Sequence, residues 1–137
     1  MSYLHVQQLV VMAEDYLAVR QAIARSLQET SLPGYAVLNR AEGSLETAYI
    51  VRLFSEFKGS LRSYLKSNDP RHRPVPRSVF SVINRAALQR IPNSIRDDVH
   101  EAREYRNSVV HSDGTTRAAI PFSTARSILS KFAARLS

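Results

Sequence analysis

The apolar positions of this chain recur at helical spacing almost from end to end. From Ser2 to about Glu29, Val6, Leu9, Val10, Ala13, Tyr16, Leu17, Ile23 and Leu27 fall mostly at steps of three and four, which predicts an amphipathic helix. Ser31-Leu32-Pro33-Gly34 reads as its stop, and a connector through Arg40 leads to a second helix expected over Ser44 to Lys66. That segment carries the strongest stripe in the protein, through Ala48, Val51, Phe54, Phe57, Leu61, Tyr64 and Leu65, and Ser67-Asn68-Asp69-Pro70 ends it. Next comes a basic loop, Arg71-His72-Arg73-Pro74-Val75-Pro76-Arg77, whose prolines exclude a helix interior and keep the backbone extended. A third helix is expected over Ser78 to Gln89, with Val79, Val82, Ile83, Ala86 and Ala87 inward and Ile91-Pro92-Asn93 as its break. Ser94 with Asp97 offers a cap for a fourth helix ending near Val110, and Ile120 to Leu136 reads as a last helix opened by Pro121 or Ser123. No period-two run is long enough for a strand, and no repeat is visible. The pattern predicts an all-α, single-domain bundle of about five helices over residues 1–137.

The fourth helix departs from the others. Between Ser94 and Tyr105 it has only Ile95, Val99, Ala102 and Tyr105 to bury, set among Arg96, Asp97, Asp98, His100, Glu101, Arg103 and Glu104. That thin stripe can pack on the second helix, and the remaining faces must meet water or a partner. Val109 and Val110 point to a buried final turn.

Composition narrows the classes. The chain has 137 residues, 44% hydrophobic and 23% charged, which suits one soluble domain with one core. With no cysteine there is no disulfide and no thiolate metal site, which fits a reducing compartment. No apolar signal core follows basic residues at the N-terminus, and no window approaches the ~18 apolar residues of a membrane span. The expectation is therefore a cytoplasmic protein with no membrane partner. The net charge of +7 comes from sixteen arginines and three lysines against twelve acidic residues. A guanidinium grips phosphate with paired donors, so this excess points toward nucleic acid; genome-wide arginine usage with plainly solvated helix faces is an equally simple account.

The segment Arg103-Glu104-Tyr105-Arg106-Asn107-Ser108-Val109-Val110-His111 changes the picture. It sets a phosphate-binding guanidinium, a carboxamide and a proton-transferring imidazole within the last two turns of a helix. Asn107 and His111 share a face, with Arg103 one turn earlier. Arg106 and His111, five apart, stand about 140° apart on a regular helix. Either a distortion near Ser112-Asp113-Gly114 or a second copy of the chain must bring them together. Taken singly, His111 is an ordinary helix-end residue favoured by the dipole, and Arg106 a surface ion-pair partner of Asp113, Glu101 or Glu104. His100 and His111 lie ~16 Å apart along the axis, too far to share a metal, and His5 and His72 stand elsewhere. Glu46 and Glu56 read as solvated charges. No glycine-rich phosphate loop or serine elbow occurs, and Pro92 between the third and fourth helices argues for a plain junction rather than a DNA-reading helix-turn-helix.

Glu101 to His111, together with the bundle around it, resembles the HEPN superfamily, and Ala48 to Phe57 looks like that family's long core helix. The resemblance spans about two thirds of the chain, and the Arg-Asn-x-x-x-His motif is its specific part. It implies a helical domain that dimerises and lines one cleft with the arginine and histidine of both protomers, cutting single-stranded RNA without metal or cofactor. Residue by residue, Arg106 would clamp the scissile phosphate, His111 would act as general base or acid, and Asn107 would position one of them. Arg103, Arg71, Arg73 and Arg77 are expected to guide the RNA. The implied setting is a toxin or antiviral-defence system, with an antitoxin or other defence protein as partner. Related toxins often carry a modifiable tyrosine two residues after the histidine; here that position is Asp113, so control of that type is not implied. Many relatives are inactive scaffolds, and the alternative expectation is a non-catalytic dimerisation or nucleic-acid-binding module.

Overall fold

The computed structural model describes residues 3–29, 32–88, 91–111 and 119–136. Among them lie five α-helices and no strand: α1 (Tyr3–Glu29), α2 (Leu32–Asn68), α3 (Val79–Ala87), α4 (Asn93–His111) and α5 (Phe122–Arg135). The all-α bundle expected from the sequence is the observed fold. No described helix is long and apolar enough to cross a membrane.

The second helix organises the rest. At 37 residues it runs about 55 Å and packs against each of the other four helices. Its stripe supplies Leu53, Phe57 and Leu61, each almost wholly removed from solvent, and Phe57 meets Phe132 of α5 edge-on at 5.6 Å. Val82 and Ile83 of α3, Val99 of α4 and Leu129 of α5 close the same core. A second aromatic group, Tyr16, Tyr49 and Phe122, joins α1, α2 and α5, with Tyr16 and Phe122 rings 4.2 Å apart. The first helix is fastened through Leu9, Met12, Ala13 and Tyr16; Leu17, expected inward, is 48% exposed.

Two boundaries depart from the periodicity. The connector expected up to Arg40 is helical, so α2 begins twelve residues before Ser44, at Leu32. Pro33 falls in its first turn, where a missing N–H is no loss. Tyr35, Ala36, Leu38, Arg40, Ala41 and Glu42 are fair to good helix formers, and they outweigh the ~1 kcal/mol that each of Gly34 and Gly43 costs relative to alanine. The fourth helix starts at Asn93 rather than after a Ser94 cap: the Pro92 carbonyl accepts from the N–H groups of Ile95 and Arg96, both at 3.1 Å. Asp97 instead accepts the Arg96 side chain at 3.2 Å, an interaction along the surface.

Two other helix starts are built by side chains. Ser78 caps α3, its hydroxyl accepting from the Ser81 N–H at 3.2 Å. The fifth helix has Pro121 at its cap and no side chain of its own there, so Glu46 of α2 does the work: its Oε1 accepts from the Phe122 N–H at 2.9 Å. Glu46 is thus a structural carboxylate, not the solvated charge its sequence context suggested, and it sits where the positive end of the helix dipole favours an anion.

Candidate nucleic-acid interface on the third and fourth helices

Helical periodicity divides α4 into three faces. Ile95, Val99, Ala102 and Val109 turn toward the bundle, and Val99 and Ala102 are buried. Asp97, Asp98, Glu101 and Glu104 gather on the far side. Between them runs a polar ridge of Arg96, His100, Arg103, Asn107 and His111, all within about 40° of its centre line. The acidic residues adjoin the ridge along one edge, where Asp97 pairs with Arg96 at 3.2 Å and Glu104 lies 3.8 Å from Arg103.

The motif residues divide between two of these faces. Arg106 lies on the inward stripe, close to Val99 in angle and two turns further on. It is half-buried, its Nη1 donates to Asn107 Oδ1 at 3.0 Å, and its buried Nε has no hydrogen-bond partner. None of the ion pairs expected for Arg106 with Glu101 or Glu104 is formed; the Arg103 Nη2 lies 3.8 Å from Glu104 instead, and Asp113 lies outside the described residues. His111 is the last residue of α4, exposed, on the ridge. Because α4 is helical through His111, Arg106 and His111 diverge by about 140° within one chain. The turn Ser112-Asp113-Gly114, where a distortion was anticipated, lies outside the described residues. The final turn is also not buried as expected: Val109 is half-buried, and Val110, although only about 20° from Val99 around the helix, is 43% exposed.

A second cluster forms where α3 meets the ridge. His100 Nε2 lies 2.8 Å from Asn84 Oδ1, and Arg103 Nε lies 3.4 Å from His100 Nδ1. A guanidinium can only donate, so Nδ1 is the acceptor and Nε2 carries the proton that Asn84 receives. Partial burial, then the nearby Arg103 and Arg96 charges, hold the imidazole pKa below its ordinary 6.5. The His100 ring also packs on Phe80 with centroids 4.8 Å apart, and the Arg103 guanidinium carbon sits 5.4 Å from the Phe80 centroid. With both ring nitrogens engaged, His100 holds this junction in place. Phe80 and Asn84 escaped the sequence reading and His100 was weighed only as a metal ligand, although the spacings Phe80 to Asn84 and His100 to Arg103 are those of neighbours on one helix face.

The four arginines expected to guide RNA separate into two kinds. Arg73 pairs with Asp69 at 3.1 Å, and Arg103 is largely covered between His100, Phe80 and Glu104. Both hold structure. Arg71 and Arg77 are exposed, and neither side chain makes an ion pair among the described residues. The loop that carries them is fastened from outside: Arg62 donates to the Pro76 carbonyl at 2.6 Å and Arg85 to the Pro74 carbonyl at 2.7 Å. Asp69 completes the brace by accepting the Arg71 N–H at 3.0 Å, the main reason its carboxyl titrates below its usual value of 3.8. His72 takes a left-handed backbone, φ 51°, at the corner.

Among the described residues, no three histidine, aspartate or glutamate side chains gather where a metal ion could be held. No protein-family model matches the chain, and neither the curated proteins nor the solved structures include a match.

Proposed function

We propose that this protein is a metal-independent endoribonuclease of the HEPN type, with a composite active site formed between two copies of the chain. The observation that supports it most is the end of α4, where Arg106, bonded to Asn107, and the exposed His111 occupy adjoining faces of one helix. The +7 charge and the exposed Arg71 and Arg77 agree with an RNA partner. In this reading the 2′-hydroxyl oxygen attacks the adjacent phosphorus as a histidine takes its proton. The bond to the 5′-oxygen breaks as water supplies a proton there, leaving a 2′,3′-cyclic phosphate and a 5′-hydroxyl. Arg106 would stabilise the charge developing on the phosphate oxygens, and each contribution is of the kind that supplies about 10²-fold or more. The setting would be a toxin or defence system, with an antitoxin or other defence protein as partner.

A second reading has its own support: the inward placement of Arg106 suits a residue that shapes the bundle, and the chain would then be a non-catalytic dimerisation or RNA-binding module. Cleavage assays separate the two. His111→Ala and Arg106→Met should each abolish cutting of single-stranded RNA, while activity of the parent protein persists in EDTA. Substrates lacking the 2′-hydroxyl at the cut site should resist. Arg106→Met keeps the aliphatic stem and removes the orphaned nitrogen, so its thermal stability should stay within about 1 kcal/mol of the parent. Cleavage of deoxy substrates, or strict dependence on added metal, rejects the mechanism; clean parent protein that cuts no RNA leaves the module reading.

A further inference from the structure

Phe80 is the one aromatic among the large hydrophobic side chains left exposed in the described structure, with 50% of its surface open. An aromatic so placed forgoes much of the ~1.5–3 kcal/mol that full burial would contribute. Its position is nevertheless well defined. It stands in the first turn of a helix capped by Ser78, with the His100 ring and the Arg103 guanidinium packed on it. His100 is in turn oriented by Asn84, one turn beyond Phe80 on the same helix. Arg77, exposed and without an ion pair among the described residues, lies three residues before Phe80, in the loop that leads into the α3 cap. A rigid, half-open aromatic ring with cations beside and behind it is what a base with its flanking phosphate recognises.

We propose that Phe80 is a stacking platform for one base of single-stranded RNA, with Arg77 at the adjoining phosphate and His100 and Arg103 fixing the ring. This rests on RNA being the partner in the reading above, and it adds where the strand lies. From His100 the ridge runs about 16 Å to His111. A strand seated on Phe80 therefore follows α4 over Asn107 toward the proposed cutting site a few nucleotides away. The acids of α4 lie on the opposite side of the ridge and would bound the track.

The test separates binding from cutting. A fluorescein-labelled 2′-O-methyl oligouridylate of twelve nucleotides cannot be cut through its 2′-oxygen, so its affinity is readable whether or not the protein is a nuclease. Phe80→Ala should weaken binding about ten-fold or more, and Phe80→Trp should restore it, because stacking needs a ring rather than this ring. Arg77→Ala should reduce the slope of log affinity against log salt by about one unit, whereas Phe80→Ala should leave that slope unchanged. Light scattering on the same samples reads the oligomeric state. Unchanged affinity in Phe80→Ala overturns the proposal. So does a loss that tracks dissociation of a dimer, which makes Phe80 a contact between copies of the chain. Loss of cleavage activity alone, with binding kept, bears only on the nuclease reading.

Discussion

At the scale of single residues, neighbouring groups decide what each side chain of α4 can do. His100 and His111 have the same chemistry, but His100 has both ring nitrogens engaged and is partly withdrawn from water, while His111 ends its helix exposed. The groups around His100 are Phe80 and Asn84 from α3 and Arg96, Asp97, Arg103 and Glu104 on α4. The two carboxylates oppose the downward shift without cancelling it. A folded-state pKa below 6.5 means that the unfolded chain binds the proton more readily. This contribution to stability is therefore complete above pH 6.5 and is lost as pH falls through the folded value. Protonation would also turn Nδ1 into a donor facing the Arg103 guanidinium. In an NMR titration of the imidazole signals, His100 should have a midpoint below 6.5, and His100→Gln should flatten the acid side of the melting-temperature profile. A His100 midpoint above 6.5 would contradict the hydrogen-bond arrangement. The motif itself was legible in the sequence because it is local. The inward turn of Arg106 was not, since it depends on which face of α4 the core claims.

At the scale of elements, the helices were legible because period 3.6 dominates, and the errors fell where a single residue had to be weighed against its surroundings. Pro33-Gly34 carries the local chemistry of a stop. Its position within the first turn of α2 makes the proline harmless, and only the following residues reveal that. The start of α5 is a different failure. Its cap comes from Glu46, 76 residues earlier in the chain, and no local pattern announces a partner at that distance. Glu46→Ala should lower stability by about 1 kcal/mol, the usual loss when a helix N-terminus gives up a side-chain acceptor. Glu46→Gln, which keeps an acceptor but not the charge, should recover most of it. Chemical denaturation of the three proteins checks this, and an Ala variant as stable as the parent would mean that water satisfies the Phe122 N–H equally well.

At the scale of the whole molecule, the open question is how one bundle could bring Arg106 and His111 to the same phosphate. A single α4 points them about 140° apart. The thin apolar stripe of α4 is consumed within the chain by Val99 and Ala102, so a dimer contact must use something else, and Val110, 43% exposed beside His111, is available. A two-fold axis near the ends of two α4 helices would set the arginine of one copy against the histidine of the other, and two-fold pairing is the commonest closed assembly. Light scattering should show a concentration-dependent dimer that Val110→Glu weakens. Complementation tests the shared site more directly. His111→Ala and Arg106→Met are each expected to be inactive alone, yet a mixed dimer keeps one site with an intact arginine from one chain and an intact histidine from the other. Mixing the two variants should therefore restore partial cleavage. If mixed dimers form and stay inactive, the motif does not work across the interface. A monomer that cleaves RNA would show that Arg106 and His111 converge within one chain after all.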